Sequence, residues 1–450
     1  MAGTDQDRTE QLREWAGEVV GEPGVELLRR PGGGRHEAWD VTAPSGRQWF
    51  LRADNAEPSE HEHYTLRRES EIYRAVHSIG LPCPDVLGVH PSLPAVLLER
   101  VGGDAGFAKL DPASQAAIIE DFAPWLARLH ATDPTTLELP SLSPIGSIVD
   151  HVVQELDIWE SRLDATGVPD PFLTACFTWL RDHLPATGDA MAALVQGDTG
   201  PGNFLHDGKR VTAFLDFELG HLGDPMEDLA WVATRNAQEP VPDFERFLTC
   251  YAGAAGVEPD RVRIRYHMLF AELRIAVLGA ERISSRDDLD AEHGNQLIYG
   301  ALHRRLTVEA LAAATGTALP EVVLTEPLDT PQTRYYDAML HQMRDIVGPH
   351  ITDPYAARRH RSIARVVKYL REENRVGGAH VEAELADLTR LLGARPASVA
   401  AGSAALLDRV NDRSLGAIDL LPYGHAQVTR RQQVVGPSMG VLAIRHLPAI

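Results

Sequence analysis

The chain has 450 residues, 44% of them hydrophobic and 24% charged, which allows a buried core but exceeds what one compact core organises, so two or three lobes are expected. A formal net charge of -21 argues against non-specific binding to nucleic acid or to anionic membranes, since both depend on clustered Lys and Arg. Cys83, Cys176 and Cys250 lack metal-ligand spacing and read as buried free thiols of a reducing cytosol, and neither a secretion leader nor a bilayer-spanning run is expected.

Apolar positions Leu12, Trp15, Val19 and Val20 recur at helical spacing and predict an amphipathic helix from about Asp7 to Val20. Three strands follow: Val25–Leu28, Glu37–Val41 and Gln48–Arg52. Gly32-Gly33-Gly34 makes the first turn between them. Gly33 and Gly34 would let backbone amides approach a phosphate, and the run reads equally well as a flexible hairpin turn, because no full Gly-x-Gly-x-x-Gly is present. His61 and His63 lie in an acidic loop and read as solubilising residues. A helix over Leu66–Ser78 places Glu69 on one face with Tyr73 and Val76. Val86–Val89 and Ala95–Val101 complete a five-stranded lobe, with Gly102-Gly103 as a hinge.

From Asp111 the pattern turns helical, with Ile118, Phe122, Trp125, Leu126 and Leu129 on one face and His130 as a core or cap residue. Helices over Ile148–Leu163 and Phe172–His183 follow. Next comes the stretch on which the chain turns. Leu194-Val195 leads into Gln196-Gly197-Asp198-Thr199-Gly200-Pro201-Gly202-Asn203, and Val211–Glu218 reads as the strand behind it. A hairpin closing Leu194-Val195 on Phe214-Leu215 would gather Asp198, Asn203 and Asp216. Two carboxylates and an amide oxygen suit a base plus a magnesium site, which phosphoryl transfer requires.

These residues resemble a known family. The order Asp, four residues, Asn, then Asp-Phe-Glu is similar to the kinase catalytic loop and its metal-binding Asp-Phe-Gly. The aminoglycoside phosphotransferase and choline kinase-like branch is closer still. Its members read His-Gly-Asp-x-x-x-x-Asn, Ile-Asp-Trp/Phe-Glu and Gly-Asp-Pro-x-x-Asp-Leu-Ala, and this chain has Gln196-Gly197-Asp198 to Asn203, Leu215-Asp216-Phe217-Glu218 and Gly223-Asp224-Pro225-Met226-Glu227-Asp228-Leu229-Ala230. Gln196 stands where the family has His, a change expected to alter loop hydrogen bonding more than chemistry.

The resemblance implies an α+β, bilobal protein-kinase-like fold. It would comprise a nucleotide-binding lobe over residues 1–101, a mainly helical lobe over 102–350 and a helical carboxy-terminal extension over 351–450. It implies ATP or GTP as co-substrate, Mg2+ as cofactor and a small-molecule hydroxyl as acceptor. Asp198 is then the catalytic base, Asn203 and Asp216 hold the metal, and Glu218 positions a second ion or the acceptor. Asp228 braces the loop, and backbone groups of Glu99 and Val101 face the purine. Arg52 ends the third strand where the pattern has a phosphate-contacting Lys, and Glu69 is its expected partner; Arg keeps the charge but not the geometry.

Helices over Asp243–Ala254, Arg263–Ile283 and His293–Ala314 are expected to wall the acceptor pocket, with Glu272, Arg274, Glu281 and Arg282 read as solvated charges. Beyond Pro354, Arg358, Arg359, Arg361, Arg365 and Lys368 form a basic helical patch, and Val381–Leu392 and Val399–Val410 read as further helices in a tail that the resemblance does not explain, an accessory domain or a homo-oligomer contact. Gly436-Pro437-Ser438-Met439-Gly440 matches an esterase elbow only in form, since no acid follows Ser438. Two rival functions remain: a nucleotide-binding regulatory module without catalysis, and an aminoglycoside-modifying kinase.

Overall fold

A computed structural model of the chain describes residues 2–30, 37–54, 62–142, 144–284 and 293–450. Gly33, Gly34 and His61 lie outside the described residues. The chain packs as two compact units, residues 1–152 with 187–260 and residues 153–186 with 261–450.

In the first unit, helix α1 (Ala2–Val20) precedes strands β1 (Glu26–Arg29), β2 (Glu37–Thr42) and β3 (Gln48–Ala53), helix α2 (Leu66–Ser78), and strands β4 (Val86–Val89) and β5 (Ala95–Glu99). The five strands form one antiparallel sheet in the order β1-β2-β3-β5-β4. Strict alternation explains its two faces. Trp39, Val41, Trp49, Leu51 and Ala53 join Leu12 and Ala16 of α1 in one core, which turns Phe50 and Arg52 to the other face. Gly88 in β4 packs closely here, since a Cβ would lie 3.2 Å from the side chains of Trp15 and Val19 of α1. β5 ends at Glu99, two residues before the expected end at Val101.

The unit continues with α3 (Pro112–Ala131) and the first turn of α4 (Ile148–Ala165), and, after α5 (Pro171–Asp182), with β6 (Ala193–Val195), β7 (Phe204–His206), β8 (Val211–Phe214), β9 (His221–Gly223), α6 (Pro225–Arg235) and α7 (Phe244–Ala255). The expected hairpin does not form. β6 pairs with β9 and β7 with β8, and β8 ends at Phe214, before Asp216. Asp-Pro pairs open several helices: Asp111, Asp170 and Asp224 each cap a helix whose first residue is proline, because proline lacks the N–H that would be orphaned there and the carboxylate accepts the next ones.

In the second unit, α8 (Arg261–Ser284) and α9 (His293–Thr315) pack with α10 (Thr333–His341), α11 (Pro354–Leu392), α12 (Val399–Asn411) and α13 (Ala417–Met439). α11 is one continuous helix of 39 residues that joins the basic helical patch to the helix expected over Val381–Leu392, through Gly377-Gly378. Val376 and Gly377 are buried, so packing overrides the local weakness of the pair. Glu272 and Arg274 are not solvated as expected. Both are buried, Glu272 Oε2 2.9 Å from His303 Nδ1 and Arg274 3.3 Å from the Glu155 carboxylate. Glu281 pairs with Arg162 at 2.7 and 2.8 Å.

Cys83 and Cys176 are buried and Cys250 is half-buried, all as free thiols, and burial pushes the Cys83 thiol up to about 12. Among the described residues, no helix is long and apolar enough to cross a membrane.

Two glycines of the second unit differ in the space around them. A Cβ on Gly424 of α13 would lie 2.7 Å from the buried Phe172 ring, whereas one on Gly378 of α11 would meet nothing within 4 Å. Gly424→Ala is expected to lower stability, since about 1–3 kcal/mol of overpacking outweighs the helix gain of Ala. Gly378→Ala is expected to raise it by about 0.5–1 kcal/mol. Urea unfolding midpoints moving in opposite directions would confirm the contrast; a common direction would refute it.

Candidate functional site

The strand alternation that buries Leu51 aims Arg52 away from α1, and three carboxylates receive it. Its Nη1 donates to Glu69 Oε1 at 2.6 Å and to Asp216 Oδ1 at 2.9 Å, and its Nη2 to Glu218 Oε2 at 3.1 Å. Burial opposes the guanidinium charge, but Glu69, Asp216 and Glu218 outweigh it and hold Arg52 well above its ordinary value.

Helix α2 brings more than Glu69. Its cap Thr65 accepts the Arg68 N–H at 3.2 Å, and Arg68 in turn donates to the carbonyls of His63 at 2.7 Å and Gly220 at 2.6 Å. One turn on from Glu69, the Tyr73 hydroxyl accepts the Asp216 N–H at 2.8 Å. That bond meets Asp216 in a left-handed backbone conformation, φ 62°, which few residues other than glycine adopt. Burial raises the Asp216 carboxyl; Arg52 pulls it down, and the neighbouring Glu218 and Asp198 charges push it up again, leaving it above its ordinary value.

The loop from Gln196 to Asn203 is shaped by a second buried acid. Asp228, in the first turn of α6 and fully buried, accepts the N–H groups of Gln196 and Gly197, each at 2.9 Å, and the Thr199 hydroxyl at 2.5 Å. His130 Nε2 lies 3.0 Å from the same carboxylate, and its Nδ1 lies 2.8 Å from the Tyr251 hydroxyl. Gly197 is obligatory: at φ 81° a Cβ would lie 2.3 Å from the Leu219 carbonyl. The Gln196 amide donates to the Leu215 carbonyl at 2.6 Å and thereby ties the loop to the end of β8.

Asn203 is the hinge pin of the arrangement. Its Nδ2 donates to the Asp198 carbonyl at 2.7 Å and to Asp198 Oδ2 at 2.9 Å, while its carbonyl accepts the Leu215 N–H at 2.9 Å, one residue before Asp216. Asp198 is also forked by Arg235, whose Nε donates to Oδ1 at 2.7 Å and whose Nη2 pairs with Oδ2. Burial opposes the Arg235 charge, yet Asp198 dominates and its guanidinium stays above its ordinary value.

The structure thus brings together Arg52, Glu69, Asp216 and Glu218, and separately Asp198, Asn203 and Arg235, with Asp198 close enough to Asp216 for their charges to interact. Glu99 and Val101 stand apart from these side chains. The Glu99 carboxylate accepts the Asp85 N–H at 3.3 Å, and the segment after Val101 is fixed to the β7–β8 hairpin through Thr212 Oγ1 to the Gly102 carbonyl at 2.9 Å. Gly103 packs there closely, since a Cβ would lie 2.6 Å from Thr212 Oγ1. Arg235 escaped the sequence reading, although its place seven residues after Asp228 puts both on one helical face.

Among the described residues, no group of three His, Cys, Asp or Glu side chains is arranged to hold a metal ion. The oxygens that fit magnesium are a mixed set, the Asp216 and Glu218 carboxylates with the Asn203 amide oxygen, and all are hard ligands. The excess of negative charge around Asp216 favours a cation there. A cleft of about 1280 Å³ on the outer side of α2, lined by Arg67, Glu71 and Arg74, includes none of these residues.

A model of the phosphotransferase enzyme family matches residues 26–266. Acyl-CoA dehydrogenase family member 11 of Mus musculus is 28% identical over 241 residues, which is 47% of this chain and 30% of that protein. The corresponding share in Rattus norvegicus is 32%, so the chain spans about a third of the length of these curated relatives. Aminoglycoside 3'-phosphotransferase of Enterococcus faecalis is 26% identical over 221 residues, 47% of this chain and 79% of that protein. A crystal structure of a candidate aminoglycoside phosphotransferase from Ralstonia eutropha superposes with a TM-score of 0.54 at 19% identity, covering 68% of this chain and 98% of its own. That likeness gives the fold, protein-kinase-like with a five-stranded amino-terminal sheet and a mostly helical remainder. With more than half of its residues inside the family match, the chain belongs to the phosphotransferase enzyme family.

Proposed function

We propose that the chain transfers the γ-phosphoryl group of ATP or GTP to a hydroxyl of a small molecule. The observation that carries this reading is the double attachment of Asn203, by its side chain to Asp198 and by its backbone to the residue before Asp216. It fixes a base and a metal ligand in one frame, as in-line transfer demands.

Asp198 receives the acceptor's hydroxyl proton as that oxygen bonds to the γ-phosphorus and the bond to the leaving diphosphate breaks. Arg235 and Asn203 hold the carboxylate in orientation, so no rotamer freedom is lost at the reacting geometry. Asn203, Asp216 and Glu218 are the oxygens that would hold magnesium, which when bound neutralises charge on the triphosphate. Arg52 contacts the α and β phosphates while Glu69 retains its other edge, and backbone groups of Glu99 and Val101 meet the purine. Asp228 acts on the reaction only through the loop it fixes.

The acceptor class has two readings, each supplied by a relative's name. The Enterococcus relative points to an aminoglycoside, and the mouse relative to a hydroxyl carried on an acyl-CoA. Labelled γ-phosphate offered with both classes, and with uncharged alcohols as controls, assigns the acceptor by which product carries the label.

Asp198→Asn is expected to lower turnover by about 10²- to 10⁴-fold with nucleotide affinity retained, measured by steady-state kinetics beside calorimetric titration of a non-hydrolysable ATP analogue. Turnover equal to wild type would remove Asp198 from the base role. Gln196→Leu leaves the part-buried Leu215 carbonyl without its 2.6 Å donor. The expected cost is about 1–3 kcal/mol in unfolding free energy, with a parallel loss of turnover. A variant as stable and as active as wild type would show that the loop is held without this bond.

A further inference from the structure

The family match ends at residue 266, and the basic patch of the tail lies beyond it. In the second unit a cleft of about 550 Å³ opens between α10, the π-helical turn Gln342–Val347 and the first half of α11. Small-molecule sites fall in this size range. π-helical turns recur at functional positions, and this one carries Met343 and Arg344 into the wall.

Helix α11 supplies the floor with one stripe. Ala357, His360, Arg361, Ala364, Lys368 and Arg371 recur at helical spacing and all line the cleft. The alanines leave room between the cations. Leu340, Met343 and Ile351 add an apolar wall.

Not every cation there is available. Arg344 is engaged by Asp345 at 2.8 Å through both Nε and Nη2, and Arg371 by Asp337 and Glu372, each at 2.9 Å. Among the described residues, Arg361 and Lys368 make neither a hydrogen bond nor an ion pair. They stand seven residues apart, about 10 Å along the axis, so their long side chains can reach one group. His360 Nε2 is buried and has no hydrogen-bond partner among the described residues. Two uncompensated cations and an unmatched ring nitrogen therefore converge on one cleft of a chain whose net charge is -21.

We propose that this cleft binds a small phosphate ester, its phosphate between Arg361 and Lys368 with His360 Nε2 as a further donor, and its organic body against Leu340, Met343 and Ile351. Two cations and a neutral donor match a phosphate dianion better than a monoanionic carboxylate. A long polyanion would meet the chain's overall negative charge outside the cleft. The proposal holds whether or not Asp198 is a catalytic base. A nucleotide and a phosphorylated metabolite share this chemistry.

The test is calorimetric titration of the full chain with AMP and with glycerol 3-phosphate, with adenosine and glycerol as uncharged controls. Arg361→Gln with Lys368→Gln is expected to weaken phosphate-ester binding at least tenfold, and Arg361→Lys to preserve it. Ala364→Leu, which fills the cleft and keeps every charge, is expected to weaken it equally; it, together with Arg361→Gln and Lys368→Gln made singly and each expected to weaken binding, carries the test should the double variant fail to fold. Nucleotide-dependent turnover at the Asp198 site stays at the wild-type level in all of them, which separates this binding from any at the catalytic loop. Loss confined to AMP identifies a nucleotide ligand, and loss for both esters a site for the phosphate itself. Equal affinity in wild type and variants for both probes, or binding of neither, overturns the proposal.

Discussion

The loop from Gln196 to Asn203 depends on a charge buried out of contact with water, that of Asp228. An isolated carboxylate in that position would cost many kcal/mol, and Asp228 is tolerated because donors surround it: two backbone N–H groups, a hydroxyl and an imidazole nitrogen. Its place in the first turn of α6 adds the favourable end of the helix dipole. Three of those donors come from Gln196, Gly197 and Thr199. The same bonds that stabilise the acid therefore dictate the path of a glycine-rich loop that has little preference of its own. Asp198 points where it does because its neighbours on both sides are already committed.

Charge balance explains the rest of the site. Each of its two aspartates has an arginine, Asp216 with Arg52 and Asp198 with Arg235, and Asn203 joins the two pairs. Arg52 faces three carboxylates with one positive charge, so the cluster around Asp216 remains negative overall. A forked guanidinium reaches three acids on two separate segments from a single strand position, where a lysine would offer all its donors from one point. Arg52 thereby links the sheet to α2 and to the segment that carries Asp216 and Glu218.

Much of this was legible in the sequence because it is local. The spacing from Asp198 to Asn203 and on to Asp216, Glu218 and Asp228 is readable, and the helical face shared by Glu69 and Tyr73 pointed to the acid that meets Arg52. What could not be read depends on distant partners. β6 and β9 are three-residue strands with no alternation of their own, so nothing local distinguishes pairing with each other from pairing with β8. Arg235, in the last turn of α6, escaped notice because its partner Asp198 lies on a loop distant in the chain. Glu272 and Arg274 looked solvated because the partners that permit their burial, His303 and Glu155, come from other helices. No helix was expected over α13, where Pro422 and Pro437 disfavour one locally, yet the helix runs through both because its packed face, with Leu420, Leu421, Val428 and Val435 buried, outweighs local propensity.

The tail is bound into its own unit by contacts that a loose appendage would lack. Gly294 at the start of α9 lies so close to α11 that a Cβ would meet the Ser362 carbonyl at 2.4 Å, and the Gly294 N–H donates to Ser362 Oγ at 3.2 Å. Arg305 of α9 donates to the carbonyl of Leu442 at 3.0 Å, and Arg430 of α13 donates to Asp387 of α11 at 2.8 Å in a buried place. The family match stops inside α8, and α9 and α5, which also precede the tail, pack against it: α9, with Leu302 and Leu306 buried, against α11 and α13, and α5, with Phe172 and Leu180 buried, against α12 and α13. Truncation near residue 350 would expose such surface on helices that precede the cut. α11 carries both faces of this arrangement: buried Ser362, Val376 and Leu388 join it to the unit, while Arg361 and Lys368 remain open to the cleft. A ligand bound there would therefore rest on an element whose other side the unit requires for its own core.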